Sequence, residues 1–346
     1  MREDSEVSLR GAGLGPEPAI VEGSTATVAP EPVAAPGQHG RSRARGSERP
    51  EGGSSPGRVA LGLLRAARPK QWFKNVLVLA APGAAGVLFD PSRVGGVALA
   101  FVALCLVASG TYLLNDAADV ESDRLHPRKR RRPIAAGVVP VPVAVVAGLA
   151  AVVGGLLIAY AAAWLVLVAV AVYALLSMSY TVWLKHVAVV DIATIASLFV
   201  VRAVVGGVAA NVAISRWFFI VASFGSLFVV AGKRYSESHD LGEARGEVRA
   251  TLAAYSPDFL RHVWTAASAV TLMAYCLWAF EQSAREGVPY FELSIVPFLL
   301  FVLRYALIVD AGRAGAPEDV VLGDRALQVI GVAWVVVFGL GVYLGG

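Results

Sequence analysis

From about residue 75 onward the chain alternates long apolar stretches with short polar connections, and the lengths of those stretches set the fold. A helix needs about 20 apolar residues to cross a bilayer core. Nine segments approach that length: roughly 75–90, 94–114, 138–160, 163–180, 189–210, 215–232, 260–280, 293–309 and 326–345. The pattern predicts an all-α polytopic membrane protein with nine transmembrane helices, of which the first and fourth are short. Ahead of them, Arg58 to Lys74 sets Val59, Leu61, Leu63 and Leu64 against Arg65, Arg68 and Lys70, as an amphipathic helix lying on lipid headgroups does. Residues 1–57 are rich in Gly, Pro, Ala, Glu and Ser and hold almost no large apolar side chains. Such a stretch buries too little surface to offset chain entropy, so a disordered tail is expected there and an integral-membrane domain over 58–346. No apolar core of a secretory signal precedes a cleavage site, so the first span is expected to serve for insertion.

Composition sharpens this picture. A chain of 346 residues that is 56% hydrophobic and only 16% charged is not an ordinary soluble domain. Cys105 and Cys276 fall inside apolar runs and read as small core residues, not a disulfide framework. The net charge of +4 matters through its placement. Taken together, the loops after spans two, four, six and eight hold most of the Lys and Arg between spans, although the one after span four has Lys185 alone, whereas the opposite connections hold only Arg93, Arg216 and Arg285. That bias predicts an N-in, C-out topology in a cell membrane, with the polar clusters facing the cytoplasm. The basic run RSRARGSERP in the tail reads as solvated chain.

The chemistry concentrates in Asn115 to Gly137, NDAADVESDRLHPRKRRRPIAAG, which follows the second span directly. Asp116, Asp119 and Asp123 are spaced three and four apart, so a helix continuing past the membrane edge would stack them on one face beside Asn115. Like charges at that spacing repel and call for a cation. Carboxylate and amide oxygens favour a hard divalent ion, and Mg²⁺, with Mn²⁺ as a substitute, fits best because it shares phosphate oxygens. Five basic residues, Arg128 to Arg132, come next. Metal on one side and guanidinium on the other suit a polyanion. Other ionisable groups fall near the same edge: Lys74 at the mouth of span one, Tyr180 and Lys185 after span four, Asp191 at the start of span five, and Lys233, Arg234, Glu237 and Asp240 after span six. Asp191 reads equally well as a helix cap. Arg202 lies within span five, where a charge must face protein or a wet cavity; it is a candidate ligand contact, with a structural pair to an acid such as Asp191 as the alternative. His186 and His262 lack metal-ligand spacing and read as ordinary edge residues.

The pattern NDxxDxxxD followed by RPxxxG resembles the first aspartate motif of the UbiA superfamily of intramembrane prenyltransferases. RPKQWFKNVLVLAAP at 68–82, LKHVAVVDIA at 184–193, AGKRYSE at 231–237, LRYALIVD at 303–310 and PEDVVLGDRALQ at 317–328 extend the likeness from about Arg68 to the C-terminus. Together they resemble the branch that phosphoribosylates a long polyprenyl phosphate, making the lipid-linked ribose precursor of cell-wall arabinan. The resemblance implies helices around a central cavity, 5-phosphoribosyl 1-diphosphate as donor and polyprenyl (decaprenyl) phosphate as acceptor. It further implies Mg²⁺ held by Asp116, Asp119 and Asp123, with Asn115 orienting a ligand or the ribose and Tyr180 and Lys185 near the phosphates. Arg128, Arg130, Lys185, Lys233 and Arg234 would divide between the ribose 5-phosphate and the lipid phosphate. No general base is assigned, because a phosphate monoester is already anionic at neutral pH; Asp123 is the candidate if one acts.

In the wider superfamily a second DxxxD follows the sixth span, where this chain has Lys233, Arg234, Tyr235 and Glu237. Lys and Arg bind phosphate directly, which suits a sugar-phosphate donor. The other readings are a prenyltransferase acting on an aromatic acceptor, which the missing second DxxxD opposes, and a secondary transporter, whose charges would lie at mid-membrane. Nothing implies a nucleic-acid partner, and the pattern is compatible with a homo-oligomer.

Overall fold

The computed structural model describes residues 55–127, 129–241 and 250–345, and these are helical with short connections. In chain order the helices are α1 (Pro56–Ala66), α2 (Ala80–Ala84), α3 (Pro91–Ala118), α4 (Val120–Leu125), α5 (Val141–Ala162), α6 (Trp164–Val182), α7 (Val190–Ala209), α8 (Arg216–Leu241), α9 (Ala250–Ala253), α10 (Pro257–Glu286), α11 (Tyr290–Leu293), α12 (Ile295–Asp310), α13 (Pro317–Gly323) and α14 (Arg325–Leu344). Among the described residues eight are long and apolar enough to cross a membrane, counting α11 and α12 as one unit. Helix α1 starts on Pro56, inside the stretch expected to be tail. Most of that tail, residues 1–54, lies outside the described residues, RSRARGSERP included.

The first expected span is corrected: 75–90 is not an α-helix. Pro69–Leu79 is a 3₁₀ helix and Ala80–Ala84 a single short helical turn that contains Pro82 and ends just before Gly86, whose φ is +70°. The segment nonetheless runs antiparallel along the whole of α3. Arg68 reaches Asp116 near the C-terminal end of α3, Trp72 donates to Ser109, Asn75 donates to the Cys105 sulfur, and Asp90 caps the N-terminus of α3. A helix of 28 residues is about 42 Å long. The 3₁₀ rise of about 2 Å per residue lets the connecting chain cover most of that distance. A ninth crossing therefore exists without being α-helical.

Irregular backbone at membrane depth must be wrapped in protein. Here α3 and α7 do the wrapping. Gly206 of α7 makes the contact possible, since a Cβ there would lie 1.7 Å from the Val78 carbonyl oxygen.

Helix α3 is the inner helix, with Ala100, Ala103, Leu104 and Val107 fully buried. It packs closely on α5, where a Cβ at Gly110 would lie 2.6 Å from the Gly148 carbonyl oxygen, the close approach that small residues permit between membrane helices. On the outside of α5, Val146, Leu149, Val153 and Leu157 are exposed at helical spacing, so the bilayer covers that face. Helix α1 uses its apolar side partly on protein: Ala66 joins Leu113, Ala117, Ile134 and Val139 in a small core, while Leu61 and Leu64 stay exposed.

Candidate active site

The second apolar run ends at Leu114, yet α3 continues to Ala118, so Asn115 and Asp116 ride its last turn. Asp119 caps that helix at φ −89°, and α4 begins at once. Backbone bonds from Asp119 to Asn115 (2.9 Å) and from Asp123 to Asp119 (2.8 Å) carry the helical register across the junction. Asp116 and Asp123, about two turns apart, meet on one side. They are 2% and 1% exposed.

One guanidinium nitrogen, Arg132 Nη1, donates to both, at 3.0 Å to Asp116 Oδ1 and 2.7 Å to Asp123 Oδ2. Arg68 adds a second bond to Asp116 at 2.7 Å, and Lys129 stands 4.0 Å from Asp123. Asp119 turns to Lys185 instead, 3.7 Å away. The expected single stack of three carboxylates is thus a pair and a neighbour, and among the described residues no three His, Cys, Asp or Glu gather as a metal cluster. Asn115 is partly buried beside them. Of the basic run, the buried carboxylates draw in Arg132, aided by Pro133 and by the left-handed turn at Gly137 (φ +76°), which fold the loop back. Arg130 points to solvent, and Arg128 lies outside the described residues.

A second group of side chains comes from the 3₁₀ segment and α13. Lys74 Nζ is 3.4 Å from Glu318 Oε1, and Gln71 donates to the same oxygen at 3.2 Å. Arg202 donates to Asn75, the residue next to Lys74, at 2.9 Å. Burial pushes the Glu318 carboxyl up, but its own backbone bond together with Lys74 and Gln71 outweighs this and holds it below the usual carboxylate range.

The third group closes on Arg234 of α8, which is 3% exposed. It donates to Glu237 at 2.7 Å and to the Tyr180 hydroxyl at 3.3 Å, and its Nε is 3.3 Å from Asp191 Oδ2. That last pair is close but misaligned, so neither atom has a formal hydrogen bond. Lys233 reaches Glu237 at 3.7 Å. Asp191 is fully buried and accepts from the Tyr255 hydroxyl; burial first, and the bond to Asp191 second, push that phenol up. Asp191 is therefore no helix cap, since Val189 holds that position, and it is not the partner of Arg202. Arg202, 5% exposed, bonds Asn75 (2.9 Å), the Tyr173 hydroxyl (2.8 Å) and the Leu198 carbonyl (2.8 Å), with no carboxylate paired to it among the described residues. Its position at mid-helix is a clamp between α7, α6 and the irregular crossing. Nothing is described of the Asp240 side chain, and His186 and His262 are exposed.

Sequence reasoning missed Arg68, Arg132, Gln71, Glu318 and Tyr255. Four of them stood inside the quoted motifs, but their partners are set by folding: Gln71 and Glu318 are 247 positions apart.

Residues 76–343 match the UbiA prenyltransferase family. The decaprenyl-phosphate phosphoribosyltransferase of Corynebacterium glutamicum is 45% identical over 295 residues, covering 84% of this chain and 89% of that protein. The enzyme of the same name from Mycobacterium tuberculosis is 45% identical over 298 residues, covering 84% and 97%. Among solved structures, a UbiA homologue from Archaeoglobus fulgidus bound to GPP and Mg²⁺ aligns over 82% of this chain and 99% of its own, with a TM-score of 0.65 at 16% identity. At that identity the likeness concerns the fold.

Proposed function

The chain belongs to the UbiA prenyltransferase family, and from that premise we propose that it transfers the 5-phosphoribosyl group of 5-phosphoribosyl 1-diphosphate to a long-chain polyprenyl (decaprenyl) phosphate, releasing pyrophosphate. The observation that carries the reading is 45% identity to phosphoribosyltransferases over 84% of the chain. The site supports it. After the sixth crossing the chain offers Lys233 and Arg234, bases that bind phosphate directly, rather than a second pair of metal-binding carboxylates.

The residues present fit a divalent metal. Asp116 and Asp123 already converge on one cationic nitrogen, so the place demands positive charge, and Mg²⁺ is commonly held by one or two carboxylates plus substrate phosphates. Asp116 and Asp123 would hold it, with Asp119 as a third ligand once freed from Lys185. Held there by Asp116 and Asp123, a divalent ion would supply Lewis acidity toward the diphosphate leaving group. A UbiA homologue bound to GPP and Mg²⁺ provides the precedent.

The chain's own side chains do the rest. An acceptor phosphate oxygen forms a bond to the anomeric carbon while the carbon–oxygen bond to diphosphate breaks, and that electron pair leaves with pyrophosphate. No proton need be removed from the acceptor, so positioning dominates. Lys74, Lys185, Lys233 and Arg234 would share the ribose 5-phosphate and the lipid phosphate, with Arg128 and Arg130 at the rim and Asn115 orienting the donor. Tyr180 and Glu237 aim Arg234. Arg202 fixes the floor through Asn75. The acceptor's chain is stabilised in lipid by about 0.8 kcal/mol per buried CH₂, so the enzyme must meet it in the membrane. The Lys and Arg bias supports a cytoplasm-facing site.

Purified protein with radiolabelled 5-phosphoribosyl diphosphate, polyprenyl phosphate and Mg²⁺ should form a chloroform-soluble labelled lipid. Label that stays aqueous, or transfer of a labelled isoprenyl chain to an aromatic acceptor instead, overturns the reading.

A further inference from the structure

Two buried side-chain oxygens, on Glu318 and Tyr305, have no hydrogen-bond partner among the described residues. Glu318 Oε1 takes Gln71 and Lys74, but Oε2 is sealed from solvent and accepts nothing. The Tyr305 hydroxyl on α12 is also unpartnered, in a residue only 3% exposed. Tyr305 belongs to the buried core against which Val320 packs, two residues along α13 from Glu318. Gln71, which donates to Glu318, is bonded through its backbone to Arg68, and Arg68 bonds Asp116, which ties the patch to the carboxylate pair. Buried polar groups are nearly always bonded, so a free acceptor and a free hydroxyl together mark a place where something else supplies the bonds.

The chemistry narrows what that is. A carboxylate only accepts hydrogen bonds, so it repels phosphate and welcomes hydroxyls. Lys74 at 3.4 Å keeps it charged and tethered while leaving one oxygen over. A furanose offers hydroxyl donors in this position, whereas an isoprenyl diphosphate has none beyond its phosphates. We propose that Glu318 Oε2, assisted by the Tyr305 hydroxyl, receives the ring hydroxyls of the donor's ribose and so selects a pentosyl over a prenyl donor. This rests on the proposed function. It makes α13, which folds back over the irregular crossing, the element that reads the sugar, while the Asp116–Asp123 end receives the diphosphate.

The test measures binding by calorimetry in Mg²⁺, for 5-phosphoribosyl diphosphate and for its 2-deoxy and 3-deoxy analogues. A hydrogen bond to a charged group implies that the protein binds the ribosyl donor about ten- to a hundredfold more tightly than at least one deoxy analogue. Glu318→Gln should weaken the ribosyl donor by a similar factor and abolish the discrimination. Tyr305→Phe should reduce it less. Equal binding of all three donors by the unaltered protein overturns the proposal, and means that water alone fills the patch. Failure of the unaltered protein to bind the ribosyl donor at all is a different result, which removes the proposed function and this inference with it. Should Glu318→Gln fail to fold, the analogue comparison on the unaltered protein still decides.

Discussion

Replacing Arg132 by Gln probes the charge balance at the end of α3. In the native protein Arg132 is the only side chain bonded to both Asp116 and Asp123 among the described residues. Without it, Asp116 keeps Arg68 at 2.7 Å, while Asp123, 1% exposed, is left with Lys129 at 4.0 Å as its ion pair among the described residues. Stripping one partner from a buried ion pair costs about 3–5 kcal/mol. The Arg132 side chain is 28% exposed and one partner survives, so a lower figure of about 2–3 kcal/mol applies. At about 2–4 °C per kcal/mol, the melting temperature in detergent should fall by about 4–12 °C. Two carboxylates relieved of their guanidinium should attract a divalent ion, so millimolar Mg²⁺ should restore part of the loss in the variant and little in the native protein. Thermal unfolding with and without Mg²⁺ measures both effects. An unchanged melting temperature together with the native response to Mg²⁺ would refute the assignment of Arg132 as their shared counter-ion.

Asp116→Asn keeps an acceptor for Arg68 and Arg132 but removes the charge; transfer to lipid should be abolished while the fold survives, and retained activity would reassign the acid to charge balance. Gly206→Ala should lower the melting temperature, since its Cβ would lie 1.7 Å from the Val78 carbonyl and overpacking costs about 1–3 kcal/mol or more; an unchanged value would show that the 3₁₀ segment yields freely. Glu318 has a depressed folded pKa, so its stabilising effect is present above the ordinary Glu value of about 4.3 and lost as pH falls through the lower folded value. The stability gap between native protein and Glu318→Gln should therefore be open at pH 7 and close in acid, and a gap independent of pH would sever the link to Lys74. Arg202→Lys cannot reach Asn75, Tyr173 and the Leu198 carbonyl at once, so it should destabilise nearly as much as Arg202→Met in the same unfolding assay; a native-like Lys variant would count against a three-way clamp.

Much of the fold was legible because the bilayer imposes length and apolarity directly on the sequence, and the ends of α5, α7 and α14 lie within a few residues of their expected spans. The first crossing was not legible as a 3₁₀ segment. Its residues are apolar enough for a helix, and only the backbone contact at Gly206, 128 positions after Val78, explains how it is sheltered. At the site, the i, i+3, i+7 spacing singled out three acids, but with the helical register carried on, positions i and i+7 align while i+3 falls to one side, where Asp119 meets Lys185, a partner the spacing could not show. Arg128 to Arg132 looked interchangeable as a run. What distinguishes Arg132 is Pro133 and the turn at Gly137, which bring it back over α3. Asp191 and Arg202, one on each side of an apparent pairing, took different partners because Tyr255 and Asn75 arrive from distant segments.

The most direct measurement is an anomalous-difference map from crystals grown with Mn²⁺ and 5-phosphoribosyl diphosphate. A manganese peak beside Asp116 and Asp123, with Arg132 withdrawn from at least one of them and the donor's diphosphate at the metal, is the expected result. A peak remote from both carboxylates, or a donor bound elsewhere while Arg132 still bridges the pair, would contradict it.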